Sequence, residues 1–427
     1  MKYETTIKLI LTLVFSVTLL LSTLSIPALA FYEWQSDDRS FDLSALVRGF
    51  GIVYENPENQ FFYEDKSDAG AAAIARLIML ARAGQHLGFE VNAYQTYIPA
   101  SMASRLGSLG TPLDVERSSA LEWSFSDDDY VHLAIDRLNI SWSYNRLDLI
   151  AGRQPINLAT TFYFTPNDFF APFSAQAFYR VYKPGVDAVR AEVRLGNLSQ
   201  LSLISVLGYD RDPDSDTRWS RDPDWHRTSH VGRISTIFRD FEWALIGGVV
   251  RETDVISGVV READVVGGSL QGELFQWLGV RSEGHVADPD DSQRNLELSL
   301  GIEHRWENGL NLRLEYFYHG KGADSVSDYD ITPTAEQGNN IYLGRNYTAL
   351  GIGYEFTPLL NAEMLTIANL IDHSYLLSFN AIYSLSDEAE LAIDLGVPIG
   401  KKPEDGVIKS EFGLYPYTVS IEVRCYF

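Results

Sequence analysis

The sequence has little cysteine, few basic side chains and no long apolar run beyond its first thirty residues. Its only cysteine is Cys425, which rules out a disulfide framework. Acidic residues outnumber basic ones by 58 to 34, and this argues against a nucleic-acid partner. The longest later apolar candidate is interrupted by Arg76 and Arg82, well short of the ~20 residues of a spanning helix. The composition therefore argues against disulfide-rich, nucleic-acid-binding and helical membrane proteins.

Residues 1–30 have the layout of a secretory signal peptide. Two lysines precede an apolar stretch that ends near Leu21, and Ala28 and Ala30 form a small-x-small cleavage site. A membrane-anchoring helix is the alternative, but the stretch is short for a span. We expect export by the Sec route and a mature chain from Phe31. Loss of two lysines and one glutamate changes the net charge from −24 to −25 (−24 − 2 + 1).

The strongest signal in the remaining chain is alternation of apolar and polar residues with a period of two. It is clear in "RLNISWSYN" (137–145), "LNLRLEYFYHG" (310–320) and "AELAIDLGV" (389–397). The alternating segments exceed the ~5–6 residues of a typical strand. They match the ~9–11 residues of a tilted transmembrane strand. The pattern predicts an all-β fold, a transmembrane antiparallel β-barrel in one domain over residues 31–427.

About 18 strands are predicted, with 16 as the alternative count. Short turns alternate with long polar loops, the asymmetry of outer-membrane barrels. The predicted spans are 39–53, 71–83, 87–98, 129–144, 145–152, 185–194, 199–209, 229–238, 241–251, 263–274, 277–287, 293–306, 309–319, 345–356, 361–372, 374–385, 388–397 and 413–427.

The last predicted strand ends in "VSIEVRCYF". Val419, Val423 and Phe427 share one parity, which we assign to lipid, whereas Ser420 and Glu422 share the other. A barrel has no free edge, so this strand is expected to pair with the first one. An alternating strand with a final Phe resembles the assembly signal of Gram-negative outer-membrane barrels, which makes Phe427 the candidate residue for recognition by the assembly machinery.

The third long loop, 153–184, is unusually aromatic. Exposed to water, so much aromatic surface would be unfavourable, and the loop is expected to fold into the lumen and narrow it. Asn167 and Asp168 follow Pro166 and offer turn chemistry there.

Several features around this loop occur together in a known pattern. A strand ends at Gly152–Gln154, a long loop follows, and an aromatic residue with Gly185 and Asp187 opens the next strand. This arrangement, over about residues 130–195, resembles porin-like barrels, including the alginate-export outer-membrane family. "NDFFAPF" and "YRVYKPGVD" are more similar to uncharacterised porin-like families. The resemblance implies that four residues lie near the constriction: Arg153, Gln154, Arg180 and Asp187.

The complete set of candidate constriction residues adds the loop turn and two arginines on the following strand. The set is Arg153, Gln154, Asn167, Asp168, Arg180, Asp187, Arg190 and Arg194. Six predicted inward arginines are accompanied by seven glutamates, which argues against a dedicated polyanion pore. We interpret them as cross-strand pairs in a wet lumen. The arginines are Arg137, Arg190, Arg194, Arg233, Arg313 and Arg424, and the glutamates are Glu90, Glu192, Glu297, Glu303, Glu315, Glu355 and Glu422.

Catalytic and metal chemistry is weakly indicated. No Ser–His–Asp set stands out, so no enzyme is predicted. Carboxylates at 210, 212, 214 and 216 could bind Ca²⁺, but the spacing matches no known calcium loop, and a solvated acidic loop is the preferred interpretation. No cofactor and no metal site are predicted.

A barrel of 16–18 strands leaves an aqueous channel, so the leading functional hypothesis is an outer-membrane diffusion channel for ions or small hydrophilic solutes. Two alternatives remain at this point: a barrel sheath for an electron-transfer cytochrome, and an alginate-type polysaccharide exporter. Expected partners are outer-membrane lipid, lipopolysaccharide and the barrel-assembly machinery. A homo-oligomer is left open.

Overall fold

The computed structural model describes residues 32–57, 66–99, 115–126, 130–212, 215, 219–253, 260–290, 293–329 and 342–427. Within them the chain forms twenty strands and three short 3-10 helices. The predicted signal peptide, residues 1–30, lies outside the described residues. None of the helices in the described part of the chain is long and apolar enough to cross a membrane.

The strands are β1 (Tyr32–Gln35), β2 (Arg39–Glu55), β3 (Ser67–Ala83), β4 (Leu87–Ile98), β5 (Glu122–Ser126), β6 (Tyr130–Tyr144), β7 (Leu147–Gln154), β8 (Val186–Arg194), β9 (Ser199–Arg211), β10 (Trp219–Phe238), β11 (Phe241–Thr253), β12 (Val260–Leu274), β13 (Leu278–Pro289), β14 (Asn295–Arg305), β15 (Asn311–His319), β16 (Asn346–Thr357), β17 (Leu360–Asn369), β18 (Ser374–Ser386), β19 (Ala389–Ile399) and β20 (Tyr417–Tyr426). The helices are Ser119–Leu121, Val326–Asp328 and Phe412–Leu414.

Eighteen of these strands form a closed antiparallel barrel, as predicted; β1 and β5 are short additions that pair with β2 and β6. The ring closes where β20 pairs with both β19 and β2. The Phe427 amide donates to the Ala45 carbonyl at 2.9 Å, and the Ala45 amide donates to the Phe427 carbonyl at 3.0 Å. The prediction that the final strand closes the barrel is therefore confirmed.

Alternation along the strands separates an apolar outer surface from a polar lumen. On the outer face, Leu245 is 68% and Val266 71% exposed, whereas Ser299 and Glu315 on the inner face are fully buried. Exposed aromatic residues lie close to the short turns, as in the girdle of a membrane barrel. They include Tyr144, Phe238, Trp277 and Trp306. The outer surface is therefore matched to lipid.

Two segments assigned to long loops are strands. Residues 219–228 extend β10, with Trp219 paired to Arg211, and residues 122–126 form β5. Both lie at the end of the barrel that carries the long loops. A strand that projects beyond the lipid has water on its outer face, so its sequence loses the apolar alternation that marks a membrane strand.

Candidate functional site

The connection between β7 and β8, residues 155–185, enters the lumen and is called the inward loop here. It contacts the inner faces of strands far from its own ends. Its backbone reaches Glu283 on β13 and Glu315 on β15. The Tyr163 hydroxyl donates to Glu363 on β17 at 3.3 Å, and the Tyr179 ring lies under Arg424 of β20. The predicted inward folding of the third long loop is therefore confirmed.

Two buried carboxylates of the barrel wall hold the middle of the inward loop. Glu315 accepts hydrogen bonds from the backbone amides of residues 162, 163 and 164 at 2.8, 3.1 and 2.6 Å. Glu283 accepts from the amides of residues 160, 161 and 167. Hydrogen bonds to a charged acceptor are about twice as strong as neutral ones. Six consecutive or nearby amides are thus fixed to two side chains.

One glycine of the opposite wall permits this close approach. A Cβ added at Gly351 would lie 1.7 Å from the Tyr163 hydroxyl. Gly353, two residues along the same face, has only a contact at 3.9 Å to Asn311. The contact of the inward loop with β16 therefore requires glycine at position 351 but not at position 353.

Arginines of the wall stack on aromatic rings of the inward loop. The Arg48 and Arg424 guanidinium groups lie 3.8 and 4.5 Å from the ring centre of Tyr179. On the other side, Arg281 and Arg313 lie 4.4 and 5.0 Å from the ring centre of Phe162. Such cation–π contacts add attraction without neutralising the charge. The loop thus holds arginines at its rim.

The remaining aromatic surface of the inward loop is buried in two apolar cores. One joins Ile156, Leu158 and Phe170 to the inner wall of β8–β13. The other joins Tyr163 and Phe164 to β15–β18 and to Phe412 of the last long loop. Burial of this surface is the main stabilisation of the inward position.

Below the inward loop, charged side chains of strands that are adjacent or one strand apart form ion pairs along the lumen wall. Arg137 pairs with Glu90 at 3.0 Å and Arg233 with Glu242 at 2.8 Å. Further pairs join Arg281 to Glu303 at 3.3 Å and Arg313 to Glu363 at 3.4 Å. All eight side chains are partly exposed, as expected for the lining of a wet lumen. Within these four pairs the positive and negative charges are equal in number.

Three of the candidate residues lie in the wall where the inward loop begins. Arg153 is 1% exposed; its Nε donates to Asp187 at 2.9 Å and its Nη2 to the Ser118 carbonyl at 2.7 Å. Gln154 donates to the Ala188 carbonyl at 3.0 Å. Arg153 and Gln154 are buried, so they fix the base of the loop and do not line the pore.

The candidates within the loop also have structural partners. The Asn167 side chain donates to the Gly268 carbonyl at 3.0 Å, and its carbonyl oxygen lies 3.2 Å from Nδ1 of His285. Asp168 forms a buried ion pair with Lys183. Arg180 donates to the carbonyls of residues 162, 175 and 177 and so cross-links the loop.

The two candidate arginines of β8 lie apart from this group. Arg190 pairs with Glu192 at 3.6 Å on the lumen wall. Arg194 is at the short-turn end of β8, the end opposite the inward loop, where it donates to the Asn145 carbonyl at 2.9 Å. The structure therefore brings six candidates, but neither Arg190 nor Arg194, to the inward loop: Arg153, Gln154, Asn167, Asp168, Arg180 and Asp187.

Sequence reasoning missed Glu283 and Gly351. Glu283 stands in "RSEGHVADP", where one more polar inward residue looks like lumen lining. No local pattern distinguishes an anchoring carboxylate from a hydrated one.

Among the described residues, no group of three or more His, Cys, Asp or Glu side chains could hold a metal ion. Asp210, one of the carboxylates considered for Ca²⁺, pairs with Arg227 at 2.9 Å. Residues 214 and 216 of that segment lie outside the described residues.

Solved structures provide a comparison for this architecture. No protein-family model matches the sequence, and a search of curated proteins found no match. OccAB1 of Acinetobacter baumannii superposes with a TM-score of 0.55 at 10% identity, over 91% of this chain and 96% of that one. OccK9 (OpdG) and OccK2 (OpdF) of Pseudomonas aeruginosa each give 0.55, at 13% and 11% identity, over 91% of this chain and 98% of theirs. The chain has the fold of a Gram-negative outer-membrane porin.

The porin fold and the apolar outer surface place the chain in the outer membrane, as predicted. The OccK2 structure is a complex with glucuronate. Because no family model matches, the narrower resemblance to the alginate-export type stays a prediction.

Proposed function

We propose that this porin-fold chain is a diffusion channel for ions and small hydrophilic solutes, with the inward loop as its constriction. The observation that carries the proposal is the loop itself: it is fixed by Glu283 and Glu315 above a lumen lined with partly exposed ion pairs. A hydrated, charged wall supports passage of polar solutes, and a fixed loop sets an upper size. The proposal assigns no enzymatic role.

Because the lumen charges described above are paired, we expect the outer mouth of the channel to decide between cations and anions. Each arginine of the pairs described above has a carboxylate partner, so the lumen contributes little net field. The mature charge of −25 then favours cations at the mouth. We expect a modest cation preference that falls as salt rises, because the Debye length shrinks from ~10 Å at 0.1 M to ~3 Å at 1 M.

Reversal potentials across a salt gradient test this proposal. A cation preference that decreases between 0.1 and 1 M KCl supports it. An anion preference would mean that the rim arginines dominate the constriction. Glucuronate, the ligand in the OccK2 structure, is a useful test solute. We expect it to block the current only weakly, since the lumen arginines are already paired.

The two alternative functions fit the structure less well. A sheath for a cytochrome needs an unobstructed lumen, and here the inward loop lies across it and is anchored on β13, β15 and β17. A polyanion exporter needs excess positive charge along its path, and the lining consists of pairs.

The outer surface and the final strand support three partner proposals. The exposed apolar belt is suited to outer-membrane lipid, and lipopolysaccharide is its expected outer-leaflet neighbour. The assembly machinery is expected to recognise the closing strand with Phe427.

A further inference from the structure

A buried acidic cluster lies at the long-loop end of the barrel, outside the constriction. Its centre is Glu411, which precedes the helix Phe412–Leu414 and is 1% exposed. Asp372, in the turn between β17 and β18, is its neighbour. The two carboxyl groups share the side-chain amide of Asn369, which donates to Glu411 at 2.7 Å and to Asp372 at 3.3 Å.

The Glu411 carboxyl group is only half satisfied. Its Oε2 accepts from the Tyr347 hydroxyl, from Asn369 and, at 3.2 Å, from the Leu343 amide. Its Oε1 is buried and has no hydrogen-bond partner. These contacts join three separate segments: the last long loop, the start of β16 with the stretch before it, and β17.

Within the described residues, the cluster contains no counter-cation. In the part of the chain that the structure describes, no lysine, arginine or histidine side chain is paired with Glu411 or Asp372. The other titratable groups facing Glu411 are phenols, those of Tyr329, Tyr342 and Tyr347. His373, next to Asp372 in the chain, is exposed.

Glu411 is buried, Asp372 beside it is half-buried, and no cation is paired with either, so charging both carboxyl groups carries a large cost. Burial, together with the charge of Asp372, raises the pKa of Glu411 to about 8. The Glu411 carboxyl group therefore keeps its proton at neutral pH.

The cluster is connected to the constriction by packed aromatic rings. Phe412, adjacent to Glu411, belongs to the same apolar core as Tyr163 and Phe164 of the inward loop. The rings of Tyr347 and Tyr342 lie 6.0 and 5.5 Å from that of Phe164. A change in the packing of the outer loops would therefore reach the residues that Glu315 holds.

We propose that Glu411 is a proton-dependent latch that, when protonated, docks segments 342–345 and 400–416 onto the aromatic core supporting the inward loop. Ionisation of Glu411 weakens this docking. For its effect on the pore, the inference rests on the proposed channel function. Loop release itself does not.

The direction follows from proton linkage. The docked state binds the Glu411 proton up to a higher pH than the released, hydrated state, whose carboxyl has an ordinary pKa near 4.5. Between these two values the docked state holds one more proton, so the docking constant falls about tenfold per pH unit. It is largest below about pH 4.5 and levels off above about pH 8.

Hydrogen exchange of the purified chain in lipid, measured from pH 5 to 9 and corrected for intrinsic exchange rates, tests the latch. Amides of 400–416 should lose protection as pH rises to 8, and Glu411→Gln should keep protection at every pH. In Asp372→Asn the loss of protection should be complete at a lower pH, because the charge that helps to raise the pKa of Glu411 is removed. Glu404→Gln, an exposed residue of the same loop, serves as the matched control and should behave as wild type.

Current noise recorded over the same pH range gives the second readout. Wild-type noise should increase with pH and that of Glu411→Gln should not. No pH dependence of exchange in wild type, or the same dependence in Glu411→Gln, would overturn the proposal. So would a dependence that Ca²⁺ abolishes, since the cluster would then be a cation site. If Glu411→Gln fails to fold, the pH dependence of exchange in wild type is compared with that in Asp372→Asn, and identical curves would overturn the proposal. Loop release without any current would refute the channel and leave the latch.

Discussion

Replacement of Glu315 by glutamine is the sharpest perturbation of the constriction. The carboxylate is fully buried and accepts from three successive amides, those of residues 162–164. Bonds to a charged acceptor contribute ~1.5–3 kcal/mol each, against ~0.5–1.5 kcal/mol for neutral ones. The NH₂ group of the glutamine side chain would also face the backbone N–H groups of the loop, and two donors cannot form a hydrogen bond with each other. We expect a loss of about 3 kcal/mol in loop docking, or about a hundredfold in the ratio of docked to released loop.

Single-channel recording measures the consequence. Glu315→Gln should give a larger mean conductance and more open-channel noise than wild type. The matched control is Glu297→Gln, a buried inward carboxylate that is bonded to His319 and has no bond to the inward loop. Its conductance should stay at the wild-type level. If Glu315→Gln folds, shown by heat-modifiable gel migration, and its conductance and noise equal those of wild type, the anchoring argument is refuted.

Three further predictions concern the seat of the loop, the lipid face and assembly. Gly351→Ala should displace Tyr163 and raise conductance and noise, whereas Gly353→Ala should not; equal currents from the two would contradict the seat on β16. In folding titrations into lipid, Ile421→Lys should cost up to ~2–4 kcal/mol on the outer face, and Ser420→Lys little, since Ser420 faces Asp394 in the lumen; equal losses would contradict the register. We use Ile421 because Val423, on the same face, is only 4% exposed. Deletion of Phe427 should lower the amount of heat-modifiable protein in the outer membrane, and an unchanged amount would argue against its role in assembly.

The barrel was accessible from sequence because its strands follow a single rule. Where lipid faces one side and water the other, as in 310–320, alternation is clear, with Phe317 as the one apolar residue on the inward side, and both the span and the inward parity of Glu315 were correct. The rule fails where water is on both sides, as in 219–228. The aromatic content of 153–184 predicted burial of the loop because so much apolar surface must leave water.

The partners of that loop were not accessible. Glu283 and Glu315 are separated from their amides by more than a hundred residues. Which inward carboxylate meets the loop depends on the barrel's circumference and on the path of the loop. The circumference and the loop path are set only when the barrel closes. The burial of Arg153 likewise depends on the closed barrel.

We infer that the inward loop constricts an open, water-filled pore. Single-channel recording of the purified protein in a planar bilayer, with neutral polymers of graded size added to both sides, tests this constriction most directly. We expect stepwise currents that small polymers reduce, with a sharp size limit that moves to larger polymers in Glu315→Gln. A membrane containing the folded protein but showing no current steps, or a size limit unchanged in Glu315→Gln, would contradict it.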